Sequence, residues 1–193
     1  MSLASPFDAL VDVASRLEQR GVGFALVGGL AVSIRAEVRF TRDVDLAIAA
    51  SSDAEVESLT RALLAEGFTA VAIVMQDERD RIAIARVRSR DGIVVDLLAA
   101  SSGIEAEIVA NATLVPGLER VPVAAAEHLL AMKVLSSRPQ RLQDEIDARS
   151  LLATQRIDLA RVRAALSLIE ARGYARGQDL DQKLERILIA ASG

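Results

Sequence analysis

Residues Ala25–Ile48 read ALVGGLAVSIRAEVRFTRDVDLAI. An apolar run, FALV, ends on the paired glycines Gly28 and Gly29. A short helical stretch, LAVSIRAE, follows. The next apolar run, DVDLAIA, carries two aspartates, Asp43 and Asp45, where apolar side chains are expected. Residues two apart in a strand share a face, so both carboxylates project together while Val44 and Leu46 face the other way. Adjacent carboxylates repel unless a proton or a cation neutralises them. A divalent cation fits an otherwise apolar strand with no histidine nearby; an exposed strand edge paired with Arg39 and Arg42 accounts for the same spacing. Asp96 interrupts a second apolar run, IVVDLL, in the same manner. If the two strands are neighbours, three carboxylates converge, a donor set suited to two-metal phosphoryl or nucleotidyl transfer. A strand that ends in Gly-Gly and enters a helix also points free N–H groups outward, a ready anion site.

Composition narrows the chemistry. The 193 residues are 51% hydrophobic and 26% charged, enough for one domain with a real core. There is no cysteine, which removes disulfides and thiolate metal sites, and a single histidine, His128, which we read as structural or exposed. Any metal must therefore sit on oxygen ligands, which favours magnesium or manganese. The net charge of −4 argues against a non-specific nucleic-acid binder. Lys133 and Lys183 are the only lysines among 23 lysines and arginines. The arginines cluster at Arg35, Arg39 and Arg42, at Arg79 to Arg90, and at Arg138 and Arg141. Either they line a phosphate-binding cleft or they are solvated. With 3% aromatic residues, base stacking cannot be the main way of holding a single strand. No apolar run reaches the roughly 18 residues of a membrane span, and the start MSLASPFDAL has no leader character. A cytoplasmic location with no membrane partner is the expectation.

Along the chain, Ser5 and Pro6 open a first helix that Gly21 closes, and Ser52 caps a second helix ending at Gly67. FTAVAIVM, RIAIARVR and IVVDLLA read as strands, the last two joined by a turn at Arg90–Asp91–Gly92, which makes an all-parallel sheet improbable. GIEAEIVANA reads as a short helix, and TLVPGLERVPV as strand-turn-strand or loop. From Ala124 the pattern is helical, in about four segments broken near Pro139, Asp158 and Gly173–Gly177. The expected organisation is α/β (α+β): a mixed sheet flanked by helices over residues 1–123, then a helical region over 124–193.

The run LVGGLAVSIRAEVRFTRDVDLAI resembles the signature of the nucleotidyltransferase superfamily related to DNA polymerase β. Together with VPVAAAEHLLAMKVLSSRPQRLQDEIDARSLL it is similar to the AbiEii-like and MenT-like nucleotidyltransferase toxins, over about Val22 to Leu152. The resemblance implies a nucleotidyltransferase-like fold in which Gly28 and Gly29 line a nucleoside triphosphate and Asp43 and Asp45 hold magnesium. It also implies Asp96 as a third carboxylate beside the incoming hydroxyl, and Thr41 near the triphosphate. Lys133 would contact phosphates, with Arg39 or Arg42 helping; Asp147 would be a later acidic partner and Asp144 a less certain one. The chain departs from the family where Ala36, Glu37 and Val38 stand in place of a glycine before the Arg39-x-Thr41 run. From spacing alone, Lys133 shares a helical face with Ala126, Leu129 and Leu130 and so projects from the apolar side, into a cleft or past a protein edge. Asp144 and Asp147 share a face of the next helix, within reach of Arg141 or Lys133.

The resemblance further implies transfer of a nucleoside monophosphate from an NTP to an RNA hydroxyl, the 3′ end of tRNA, as a toxin with a cognate antitoxin. Two alternatives stand beside it. One is a nucleotidyltransferase acting on an antibiotic or a protein hydroxyl, for which an acid-lined substrate pocket is expected. The other is a binding module that has kept the fold without the chemistry.

Overall fold

The computed structural model describes residues 5–76 and 78–191. Helix α1 (Pro6–Gln19) starts where the sequence marks it: Ser5 Oγ accepts the Phe7 N–H at 3.2 Å, and Pro6 occupies the first turn. Its stripe of Ala9, Leu10, Val13, Ala14 and Leu17 is buried. Strand β1 (Phe24–Val27) is buried along its whole length and runs directly into α2 (Gly28–Arg35). Strand β2 (Val44–Ile48) returns antiparallel to β1, pairing Val27 with Asp45. Helix α3 (Asp53–Ala65) is capped by Ser52, whose Oγ accepts the Glu55 N–H, while the Glu55 carboxylate accepts from Ser51.

Three strands follow: β3 (Thr69–Gln76), β4 (Arg81–Arg88) and β5 (Val94–Leu98). After α4 (Glu105–Ala110) come β6 (Thr113–Val115) and β7 (Leu118–Val123), so the ambiguous TLVPGLERVPV segment is a strand pair. The sheet order is β3-β4-β5-β2-β1-β7-β6. It is mixed: β2 runs parallel to β5 and β1 parallel to β7, and the remaining pairs are antiparallel. Four helices complete the fold, α5 (Ala126–Ser136), α6 (Leu142–Thr154), α7 (Leu159–Ala171) and α8 (Leu180–Ala191), matching the four expected segments. One hydrophobic cluster extends from Ala9 in α1 to Ile187 in α8 and so runs through sheet and helices alike. Arg35 ties α2 to the sheet by donating to the carbonyls of Val123 and Ala124. His128 is half-buried on α5, and burial lowers its pKa. No helix among the described residues is long and apolar enough to cross a membrane.

Candidate active site

The two aspartate-bearing strands are neighbours. In the parallel β2–β5 pair, Asp45 stands directly opposite Asp96. Asp43 lies one residue before β2 and is exposed, yet it faces the same cavity as the other two. Gly28 is tucked against this pair. It holds φ +64°, and a Cβ there would collide with the Asp45 carboxylate. At Gly29 a Cβ would come within 3.0 Å of Thr41 Oγ1 and also meet the Arg39 guanidinium. The glycine pair thus lets the start of α2 close onto the aspartate strand and onto Arg39 and Thr41 together.

Charge is unbalanced here. The Asp45 carboxyl is pushed up to about 6, first by burial and then by Asp96 and Asp43, while Lys133 and the Gly29 N–H pull the other way. Asp96 has a partner that the strand spacing did not name. Arg86, opposite it on β4, clamps both oxygens, Nε to Oδ1 and Nη2 to Oδ2, each at 2.6 Å. The signal was present in the sequence: Arg86 and Asp96 are equidistant from Asp91, the middle of the predicted turn, so a symmetric hairpin pairs them.

Among the described residues no three His, Cys, Asp or Glu side chains are arranged as a metal ligand set. Asp96 commits both oxygens to Arg86, so the three carboxylates are gathered without being poised for a cation. The donor chemistry nevertheless fits a hard divalent ion: Asp43 and Asp45 offer carboxylate oxygens on one cavity wall, and Asp45 carries charge that its surroundings do not neutralise.

A helical wall closes the far side. Lys133 on α5 reaches the cavity, and its Nζ lies 2.8 Å from both Asp144 Oδ1 and Asp147 Oδ2 on α6. Asp147 is buried and also accepts from Gln143 Nε2 and Arg39 Nη2, each at 2.9 Å. Burial pushes its carboxyl up, but Lys133, Gln143 and Arg39 outweigh that and hold it below the usual carboxylate range. Asp147 therefore orients Lys133 and Arg39 from behind. Asp144, the less certain candidate, lines the cavity itself.

The cavity measures about 680 Å³. Beyond the carboxylates its wall is cationic: Arg138, Arg141 and Arg176 line it, and none forms an ion pair among the described residues. Arg176 donates to the Ser101 carbonyl at 2.8 Å; its pKa is lowered by burial and by Arg138 and Arg141. Nothing in the local pattern around Arg176 marked it as a site residue. Arg42 stands apart from this cavity. Its guanidinium lies 5.5 Å from the centre of the exposed Phe40 ring, in an adjoining hollow.

This arrangement of a strand-Gly-Gly-helix turn against paired acidic strands is that of a nucleotidyltransferase with a DNA polymerase β-like fold. A family model described as the nucleotidyl transferase AbiEii toxin of a type IV toxin–antitoxin system matches residues 12–191, and the chain belongs to that family. Similar solved structures carry the same fold. An antigenic nucleotidyltransferase-like protein from Paracoccidioides brasiliensis has TM-score 0.54 and 18% identity, covering 92% of this chain and 91% of that one. The lincosamide antibiotic adenylyltransferase LnuA, bound to lincomycin, has TM-score 0.53 and 13% identity, covering 76% and 96%. The antibiotic-resistance factor ANT(2'')-Ia has TM-score 0.50 and 16% identity, covering 85% and 91%. Comparison with curated proteins gave no match.

Proposed function

We propose that this enzyme transfers a nucleoside monophosphate from an NTP to a hydroxyl at the 3′ end of an RNA, with tRNA as acceptor, and acts as the toxin of a toxin–antitoxin pair. The observation that carries the chemistry is the in-register pair Asp45 and Asp96 beside the Gly28–Gly29 turn. Asp43 and Asp45 would hold magnesium or manganese, which on binding screens the triphosphate and lowers the pKa of the acceptor hydroxyl. Gly28 and Gly29 line the cavity without side chains, so phosphate oxygens would approach the backbone there, and Thr41 and Arg39 flank them. Asp96, once Arg86 releases one of its oxygens, takes the hydroxyl proton as the acceptor oxygen bonds the α-phosphorus. The bond from the α-phosphorus to the bridging oxygen breaks, and pyrophosphate leaves. Lys133, steered by Asp147, offsets charge on the departing phosphates.

The cationic end of the cavity favours an anionic acceptor over a cationic antibiotic. An aminoglycoside pocket calls for acids, whereas Arg138, Arg141 and Arg176 stand there instead. The same three residues weigh against a binding module without chemistry, because they and the carboxylates open onto one space. We treat the sheet region, 1–123, as the catalytic core and the helices, 124–193, as the region that supplies Lys133 and this basic wall.

The test is incubation of total RNA with each labelled NTP and magnesium, beside Asp43→Ala and Lys133→Ala proteins. Label in RNA of tRNA size with the unaltered protein alone is the expected result. Equal labelling by Asp43→Ala would remove the carboxylate site, and label in a lincosamide or aminoglycoside but not in RNA would install the small-molecule reading. Growth arrest on expression, relieved by the product of a neighbouring gene, tests the toxin role and its antitoxin.

A further inference from the structure

Phe40 leaves 79% of its surface in solvent, in a chain with few aromatic residues to spare. It sits in the loop between α2 and β2, and one face of its ring is covered by the Arg42 guanidinium at 5.5 Å. The hollow beside it, of about 310 Å³, also takes in Arg88 from β4. Arg88 donates to the Gly92 carbonyl at 3.2 Å, and neither it nor Arg42 is ion-paired among the described residues. Among the described residues, the only acid lining the hollow is Asp43. Thr41 and Asp43 line this hollow and the catalytic cavity alike, so whatever rests on Phe40 abuts the reacting centre.

We infer that the Phe40–Arg42 pair is a stacking platform for a nucleobase at the end of the acceptor strand, with Arg42 and Arg88 receiving the neighbouring phosphates. The inference rests on transfer to a polynucleotide, as proposed above, and adds the subsite that seats it. An exposed ring beside a guanidinium accepts any base by its π-face, and two unpaired cations select a ligand that carries phosphodiesters. A single platform agrees with the scarcity of aromatics: it seats one terminal base and does not grip a long strand.

The chain has no tryptophan, so Phe40→Trp creates a lone tryptophan, excited selectively over Tyr174, at a position exposed enough to tolerate it. Titration with a short single-stranded oligoribonucleotide, without NTP, is expected to quench it, with affinity at least about fivefold above that for an abasic phosphodiester of equal length. No response, equal affinity for the abasic strand, or equal quenching by an NTP alone overturns the platform. In the labelling reaction Phe40→Ala is expected to raise the acceptor KM about fivefold or more, with the NTP KM unchanged. An unchanged acceptor KM refutes the platform while RNA transfer stands. Absence of labelling by the unaltered protein refutes the parent reading instead, and the fluorescence titration still decides the platform.

Discussion

Gly28 combines a left-handed φ with a space already taken by the Asp45 carboxylate. Gly28→Ala is expected to lose roughly 1–3 kcal/mol of stability and most activity together, read by thermal melts beside the transfer assay. Asp45 gives the clearest pH signature. A carboxyl whose folded pKa is raised contributes stability that is full below its ordinary 3.8 and is lost as pH rises through about 6. In EDTA, the protein is therefore expected to melt higher at pH 5 than at pH 7 through this group. Asp45→Asn removes that slope and melts higher than the unaltered protein at pH 8, while transfer is abolished; calorimetry across the range is the check.

At the scale of elements, the β4–β5 hairpin sets Arg86 on Asp96. Because Asp96 is nearly buried, Arg86→Ala leaves a carboxylate without its partner, and a loss of roughly 1–3 kcal/mol is expected. Adding Asp96→Asn should recover much of that loss, which a double-mutant cycle by denaturant unfolding measures. Most elements were legible beforehand, because Ser5 and Ser52 announce helix starts and each apolar run has strand length. Strand β3 was legible as a strand but not as an edge. Its continuous TAVAIV pattern is what a covered strand shows, yet it lies outermost, with Ile73 50% exposed. Periodicity reports which residues repel water and is silent on which strand ends the sheet. A bare apolar edge invites pairing with other chains, so Ile73→Lys is expected to reduce light scattering on storage while changing stability by less than about 0.5 kcal/mol.

Over the whole molecule, the negative net charge hides a sorted surface. Arg35, Arg81 and Arg90 are used within the fold, on carbonyls and on Asp53, whereas Arg138, Arg141 and Arg176 open into the cavity. Sequence clustering could not sort them, since Arg81 and Arg86 share a strand and differ in role. The cavity draws Val74, Asp96, Lys133 and Arg176 from four separate stretches, so only long-range packing assembles it. RNA affinity is expected to fall steeply with salt, and Arg138→Ala and Arg141→Ala should each reduce the log–log slope by about 1, measured by filter binding.

Lys183 of α8 donates to the carbonyls of Leu135 and Ser137, at the end of the helix that carries Lys133. A ribosome that has already polymerised Lys133 and both carboxylate strands needs roughly 2–10 s more to reach Lys183, at ordinary elongation speeds. Until then the last turn of α5 lacks its lysine, and the helical wall of the cavity is unfinished. Translation itself thus imposes a delay between completing the carboxylate strands and fastening the helix that faces them.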